Sequence, residues 1–190
     1  MRFEQKTVQL KSGLNLLLRS PEEQDAAGMI NFLKQTAGES DHLLRTPEEV
    51  LMTVPEEQAF LRGTLEDERR MMINAVQGDE IIGNVSVFPV GVRQRVEHRA
   101  EIAVAVRKPW WGLGIGSLLL REALVQAVKM GYEQLELTVF TDNERAVRLY
   151  KSVGFESCGQ RKNACKMKDG SYRDDLLMGI FLSQEAGDGL

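Results

Sequence analysis

Cysteine is scarce in this chain, and the two residues present, Cys158 and Cys165, are too few for a disulfide framework. They form no Cys-x-x-Cys pair, and the sequence has only two histidines, so a zinc site is not expected. We interpret both cysteines as free thiols of a reducing compartment. We therefore expect no metal cofactor.

Long apolar runs and an excess of positive charge are also missing. No stretch approaches the ~18 consecutive apolar residues of a membrane span, and the first ten residues lack the apolar core of a signal peptide. A formal net charge of -4 argues against binding nucleic acid by neutralising phosphates. These absences predict a cytoplasmic protein with neither a membrane nor a nucleic-acid partner.

The 190 residues suffice for one domain with a real core, and we place that domain at residues 1–182, followed by a flexible tail at 183–190. Hydrophobic periodicity predicts helices after Ser20-Pro21, after Val54-Pro55, at 114–130 and at 143–153, with a further helix start at Thr46-Pro47. Strands are predicted in a hairpin at 8–19 and at 71–76, 80–88, 97–106, 134–140, 155–165 and 172–182. The order ββ-αα-βββ-α-β-α-ββ predicts an α+β fold with a mostly antiparallel sheet flanked by helices.

A glycine-rich turn follows the strand at 97–106 and opens the helix at 114–130. Its sequence, Trp111-Gly112-Leu113-Gly114-Ile115-Gly116-Ser117, lets the backbone approach a ligand closely, because glycine carries no Cβ. The first amides of a helix have no partner within it, so a pyrophosphate is the natural guest there. The alternative is a turn that serves chain geometry alone.

Two other phosphate-binding loops compete with this interpretation. A Walker A loop ends in Gly-Lys-Ser/Thr, and here no lysine stands between Gly116 and Ser117. A Rossmann turn needs Gly-x-Gly-x-x-Gly after the first strand, whereas these glycines have another spacing and come late. Glu136, twenty residues past Gly116, stands near where a ribose-binding acid belongs, so this alternative stays open.

The glycine turn resembles the acyl-CoA motif of the GNAT superfamily of N-acetyltransferases, Arg/Gln-x-x-Gly-x-Gly/Ala, with Trp111 where arginine or glutamine is usual. The resemblance implies that amides of Leu113, Gly114, Gly116 and Ser117 hold the pyrophosphate of acetyl-CoA. It also implies that the strand edge Val104–Val106 pairs with the pantetheine arm.

A second motif, Asn143-x-x-Ala146-x-x-Leu149-Tyr150-x-x-x-Gly154-Phe155, is similar to the family's downstream CoA motif. Without the resemblance, helix capping and core packing account for both polar residues. With it, Asn143 is expected to hydrogen-bond the cofactor and Tyr150 to donate a proton to the departing thiolate. The cofactor residues implied are Val104, Ala105, Val106, Trp111, Gly112, Leu113, Gly114, Ile115, Gly116, Ser117, Asn143 and Tyr150.

The last hairpin, Gly170-x-Tyr172-x-Asp174-x-x-x-Met178, resembles the branch that acetylates small amines or protein N-termini. The GNAT resemblance divides the domain into an acyl-CoA core at 70–182 and an acceptor-side part at 1–69. It implies an N-acetyltransferase that acts on a primary amine by direct attack in a ternary complex.

Such an attack needs a base, because free alkylamines are protonated at neutral pH. The candidate is Glu101, on the strand just before the CoA-pairing segment; a solvated surface charge, another carboxylate or a water molecule remain alternatives. Glu39 and Asp41 are candidates for binding a cationic acceptor. The rival functions are a non-catalytic acyl-CoA sensor of the same fold and a Rossmann-like oxidoreductase, and a homodimer through the C-terminal strands remains open.

Overall fold

The structure is a computed structural model that describes residues 1–182. Within them, eight strands form one sheet: β1 (Lys6–Gln9), β2 (Asn15–Arg19), β3 (Met71–Gln77), β4 (Glu80–Pro89), β5 (Arg99–Val106), β6 (Gln134–Phe140), β7 (Glu156–Lys166) and β8 (Tyr172–Phe181). The same part of the chain contains four α-helices: α1 (Ala26–Glu39), α2 (Val54–Glu66), α3 (Ile115–Lys129) and α4 (Glu144–Ser152). The predicted α+β class and element order are confirmed. The predicted flexible tail, 183–190, lies outside the described residues.

The sheet is antiparallel except at its centre. The strand order is β1-β2-β3-β4-β5-β6-β8-β7, and β5 and β6 run parallel because α3 crosses over between them. These two strands pair over three positions, from Arg99 with Gln134 to Glu101 with Glu136, and then part. A Rossmann-like sheet is mainly parallel, so the oxidoreductase alternative is wrong for this chain.

Helices cover both faces of the sheet. One face, here called the α1–α2 face, packs Met29 and Phe32 of α1 and Leu61 of α2 against Met72 and Val76 of β3. The other, the α3–α4 face, buries the apolar sides of α3 and α4 against alternate residues of the central strands, among them Val85, Val87, Ile102, Leu135 and Leu137. Since side chains alternate along a strand, each residue of β5 and β6 belongs to one face or the other.

The first predicted helix start is displaced in the structure. α1 begins at Ala26, after a 3-10 turn at Glu23–Asp25 whose capping box joins Glu22 and Asp25. Ser20, predicted as the cap, instead accepts a hydrogen bond from the backbone N–H of Phe3 at 2.9 Å and holds the N-terminal segment. Thr46-Pro47 likewise opens only the 3-10 turn Pro47–Glu49. The starts predicted at Ser20 and Thr46 therefore mark 3-10 turns, whereas the start predicted at Val54-Pro55 is confirmed and opens α2, capped by Thr53.

Two negative findings apply to residues 1–182. No helix there combines the length and apolar character that crossing a membrane needs. No group of three or more histidine, cysteine, aspartate or glutamate side chains there is arranged to hold a metal ion. The cytoplasmic location and the absence of a metal cofactor stay predictions.

Candidate active site

A cleft of about 560 Å³ opens where β5 and β6 part. Its walls are the ends of these two strands, Ile102–Val106 and Thr138–Phe140. The glycine turn and α4 close it on one side of the sheet, and the segment after α1 borders it on the other. Ligands of α/β sheets commonly bind where neighbouring strands diverge at their carboxyl ends. The cleft is therefore the candidate active site.

The glycine turn presents free backbone amides to this cleft. Gly112 and Gly114 have φ angles of 80° and 84°, which disfavour residues with a Cβ, and a Cβ at either would meet nothing within 4 Å. The first bonded amide of α3 is that of Leu118, which donates to the Gly114 carbonyl at 3.0 Å. The amides of 115–117 therefore lack partners within the helix, and the helix dipole adds positive potential. This end of the cleft can hold a pyrophosphate.

Trp111 and Arg145 form a stacked pair beside the glycine turn. The indole Nε1 of Trp111 donates to the Val106 carbonyl at 2.6 Å, which fixes the ring against the end of β5. The guanidinium carbon of Arg145 lies 3.1 Å from the centre of that ring, and both side chains line the cleft. Desolvation lowers the pKa of Arg145 from its ordinary value. The stack supplies a cation at the turn, where the family motif more commonly has arginine or glutamine at the position of Trp111.

The edge of β5 offers backbone groups to the cleft. Arg107 donates from its backbone to Ile82 at the end of β4, whereas the Val106 carbonyl faces the other way, toward Trp111. Backbone groups of successive residues in a strand point to opposite edges. Val104 therefore directs its N–H and C=O toward the gap between β5 and β6, where they form an unpaired strand edge.

Two residues of α4 contribute polar groups. The Asn143 side-chain oxygen accepts from the Ala146 amide at 3.2 Å and caps the helix, so its amide nitrogen remains available to a ligand. Tyr150 is 8% exposed, packs edge-on against Phe155 and lines the cleft. No group in residues 1–182 hydrogen-bonds its phenol oxygen. Burial raises the pKa of Tyr150 to about 12, so the phenol carries its proton at neutral pH.

The structure brings the predicted cofactor residues together. Eleven of the twelve line this cleft, all but Leu113: Val104, Ala105, Val106, Trp111, Gly112, Gly114, Ile115, Gly116, Ser117, Asn143 and Tyr150. Their roles toward a cofactor remain predictions, because the coincidence in space shows proximity alone.

Glu101, the predicted base, occupies the last paired position before β5 and β6 part. It lies opposite Phe88 of β4 and therefore on the α1–α2 face, two residues before Ala103, which lines the cleft. Its pairing partner on β6, Glu136, accepts a hydrogen bond from the Nε of Arg99 at 3.0 Å. Glu101 is exposed at the apex of the cleft and does not form part of its wall.

The predicted acceptor-binding acids lie beside the cleft without lining it. Glu39 is half-buried and accepts from the Arg107 Nε at 2.8 Å and from the Lys108 amide at 2.7 Å, so it fastens α1 to the chain after β5. Asp41 exposes its carboxylate and uses its backbone carbonyl to accept from Arg173 at 2.7 Å. The cleft is bordered instead by their neighbours Ser40, His42, Leu43 and Leu44.

Two charged cleft residues, Asp175 and Arg145, are not among the site residues predicted from the sequence. Asp175 of β8 lies opposite Phe140 of β6 and is 4% exposed, yet it lines the cleft. Asp174 and Asp175 are adjacent in the sequence, and only the register with β6 decides which one faces the cleft. The sequence shows Arg145 as an arginine in the first turn of α4, which is a signal for a cation at a helix start. Its stacking on Trp111 could not be predicted, because it depends on how two distant segments meet.

A model of the acetyltransferase (GNAT) family matches residues 40–155. The chain belongs to the GNAT family. Among solved structures, a GNAT acetyltransferase from Streptococcus pneumoniae superposes with a TM-score of 0.84 at 31% identity, covering 88% of this chain and 99% of that one. The structure of yncA from Salmonella typhimurium with its cofactor acetyl-CoA has a TM-score of 0.78 at 17% identity and covers 90% and 95%, which shows a shared GNAT fold.

Curated GNAT relatives are similar over part of the chain. The L-amino acid N-acetyltransferase AaaT of Escherichia coli is 31% identical over 110 residues, which are 57% of this chain and 66% of that protein. A ribosomal protein bS18-alanine N-acetyltransferase of Haemophilus influenzae is 29% identical over 124 residues, 63% of this chain and 80% of that protein. The match to the N-alpha-acetyltransferase RimI of Mycobacterium tuberculosis covers 54% of its length. A third or more of AaaT and of RimI thus lies outside the match.

Proposed function

We propose that this protein is an acetyl-CoA-dependent N-acetyltransferase that transfers the acetyl group to a primary amine by direct attack in a ternary complex. The observation that carries the proposal is the cleft itself, because one space joins the free amides of a helix N-terminus to the buried phenol of Tyr150. The names of the curated relatives agree, since they describe N-acetylation of an L-amino acid and of ribosomal protein bS18.

The residues present fit acetyl-CoA. The amides at the start of α3 would hold its pyrophosphate, together with the backbone of the glycine turn, where a Cβ would find open space. The free edge of Val104 would pair with the amides of the pantetheine arm as a neighbouring strand does. The side-chain nitrogen of Asn143 would donate to a pantetheine carbonyl. Bound in this way, acetyl-CoA would present its thioester to Tyr150.

In the reaction, the amine nitrogen attacks the carbonyl carbon of the thioester, a C–N bond forms and the C–S bond breaks. A backbone amide of β5, at Val104 or its neighbour, would stabilise the negative charge on the tetrahedral oxygen. The sulfur leaves as a thiolate, and the phenol of Tyr150 would hydrogen-bond it and deliver a proton. A thiol is a stronger acid than the phenol of Tyr150, so the tyrosinate left behind must regain a proton. The amine nitrogen supplies it, because it loses a proton as the amide forms.

The amine arrives as an ammonium ion and must lose a proton before it attacks. Glu101 is the proposed acceptor of this proton, because it marks the point where β5 and β6 part, on the α1–α2 face. Its side chain is not part of the cleft wall, so we expect the proton to reach it through water.

The test combines binding and turnover. Calorimetry with acetyl-CoA measures binding, and release of free thiol in the presence of a panel of primary amines measures transfer. The enzyme hypothesis expects both, with a mass increase of one acetyl group on the amine. Binding without thiol release for any amine would favour the acyl-CoA sensor. Absence of acetyl-CoA binding would contradict both functions.

A further inference from the structure

Asp175 is a buried carboxylate with one long ion pair as its polar contact in residues 1–182. Its side chain is 6% exposed, and no donor in residues 1–182 hydrogen-bonds it. The Nη1 of Arg161 lies 3.6 Å from its Oδ2, but the Arg161 side chain is 60% exposed, so water screens this ion pair. A carboxylate buried to this extent needs a close counter-charge to offset its desolvation. Asp175 lines the cleft, so a cationic ligand can supply that charge.

The other acids around this part of the cleft already have partners. Glu39 is ion-paired with Arg107. Asp142 lies between His42, whose Nε2 is 3.5 Å from Oδ1, and Arg173, whose Nε is 3.4 Å from Oδ2. Asp142 therefore has two basic neighbours and Glu39 a close one, whereas the exposed guanidinium of Arg161 is the only basic group within 4 Å of the Asp175 carboxylate in residues 1–182.

The residues around Asp175 also restrict which other chemical groups a cationic acceptor can have near its ammonium group. Phe140 lies directly across from it, and Leu43 and Leu44 border the cleft. The guanidinium of Arg173, 5.5 Å from the Phe140 ring, is engaged by Asp142 and by the Asp41 carbonyl. A carboxylate on the acceptor would meet the negative charge of Asp175 beside a guanidinium that is already occupied.

We propose that Asp175 binds the ammonium group of the acceptor, and that the acceptor is a primary amine with an apolar neighbour and no carboxylate on the amine-bearing carbon. This inference rests on the proposed function. A small apolar amine and the first residue of a peptide share this chemistry. Free amino acids lack it, because their carboxylate lies one bond from the amine-bearing carbon and would be repelled.

The experiment compares matched acceptors at saturating acetyl-CoA. Leucine, leucinamide, isoamylamine and a leucyl dipeptide, with the corresponding phenylalanine set, present the same apolar group with and without the nearby carboxylate. We expect kcat/KM at least tenfold higher for the amides, amines or dipeptides than for the free acids. A higher kcat/KM for the dipeptides than for isoamylamine would identify a peptide N-terminus as the acceptor. A higher kcat/KM for isoamylamine would identify a small amine.

Asp175→Asn tests the residue itself. We expect KM for the preferred acceptor to rise about 30-fold or more while kcat changes less and the Kd of acetyl-CoA stays constant. Asp174→Asn is the matched control, because that side chain lies on the other face and bonds Gln160 and the Asn163 amide. We expect it to keep the acceptor KM.

Three results would overturn the inference while leaving the proposed function standing. They are an unchanged KM in a folded Asp175→Asn protein, free amino acids used as well as their amides, and no turnover of either probe set by a wild type that acetylates other amines. A wild type that binds no acetyl-CoA would instead remove the proposed function on which the inference rests.

Discussion

The phenol of Tyr150 is buried in the cleft and bonds no group in residues 1–182, so its hydroxyl is available to the departing sulfur. We predict that Tyr150→Phe lowers kcat about 100-fold, the usual scale of a lost general acid. The Kd of acetyl-CoA should change less than threefold, because the ring and its contact with Phe155 remain. Stopped-flow thiol release and calorimetry measure the two quantities. A kcat equal to that of the wild type would remove the acid role.

The stack of Arg145 on Trp111 leads to a prediction about cofactor affinity. Arg145→Ala should weaken binding of acetyl-CoA about tenfold, or ~1.4 kcal/mol, because it removes a cation beside the proposed pyrophosphate site. Binding of S-acetylpantetheine, which carries no pyrophosphate, should not change. Arg148→Ala is the control, since this residue lies one turn further along α4, is 70% exposed and pairs with Glu144. Equal losses in the two variants would contradict a specific role for Arg145.

At the scale of single residues, the sequence predicted what local spacing determines. The amides of the glycine turn and the Tyr150 position follow from short motifs, and both lie at the cleft. Asp175 could not be found this way, because its burial follows from pairing with Phe140, 35 positions earlier. The prediction for Glu39 and Asp41 rests on their charge and their place in a loop, whereas the ion pair of Glu39 with Arg107 joins residues far apart in the chain.

Among the elements, the glycine turn before α3 can be tested against a second turn whose glycine has a similar φ angle. Gly114 has a φ of 84° and Gly13, in the β1–β2 hairpin, has 85°, and a Cβ at either meets nothing within 4 Å. Alanine should cost each protein about 1 kcal/mol of folding free energy through the left-handed backbone. Gly114→Ala should in addition weaken acetyl-CoA binding at least tenfold, because its Cβ would occupy phosphate space. Denaturant unfolding and calorimetry separate the two effects, and equal Kd values would refute a cofactor role for the turn.

The strands and later helices were predictable because hydrophobic period and turn residues act locally. The structure begins α3 and β6 within one residue of the predicted positions. α1 starts six residues after the predicted cap, because Ser20 is bound by the Phe3 amide of a distant segment. The parting of β5 and β6 was likewise beyond local signals. It depends on the pairing of two strands that are distant in the sequence, which ends at Glu101 and Glu136, and the cleft lies beyond that point.

Across the whole molecule, the sheet divides the proposed chemistry between its faces. The glycine turn and α4 lie on the α3–α4 side, whereas Asp175 and the segment 40–44 lie toward the α1–α2 face. The gap between β5 and β6 connects the two sides. A donor held on one side can therefore meet an acceptor from the other only at this gap, which is where Tyr150 and the free edge of Val104 are found.

The pH dependence of stability follows from two neighbouring glutamates of α2. Burial raises the pKa of Glu57 above its ordinary 4.5, although the positive charge of Arg45 opposes this. A raised native pKa stabilises the fold below the unfolded value, and that contribution is lost as the pH rises through the native value. At pH 7 the fold therefore holds an unfavourable buried charge. Glu57→Gln should raise the melting temperature at pH 7 and have no effect near pH 4, where the carboxyl is protonated.

Glu56 provides a control of opposite sign. Its pKa is lowered, first by the hydrogen bond from the Thr53 amide and then by the Thr53 hydroxyl, so its charge stabilises the start of α2 above pH 4.5. Glu56→Gln should lower the melting temperature at pH 7, and the loss should shrink as the pH falls. Scanning calorimetry of both variants between pH 4 and 8 measures these trends. A Glu57→Gln protein less stable than the wild type at pH 7 would show that the Glu57 carboxylate has a compensating partner in the native state.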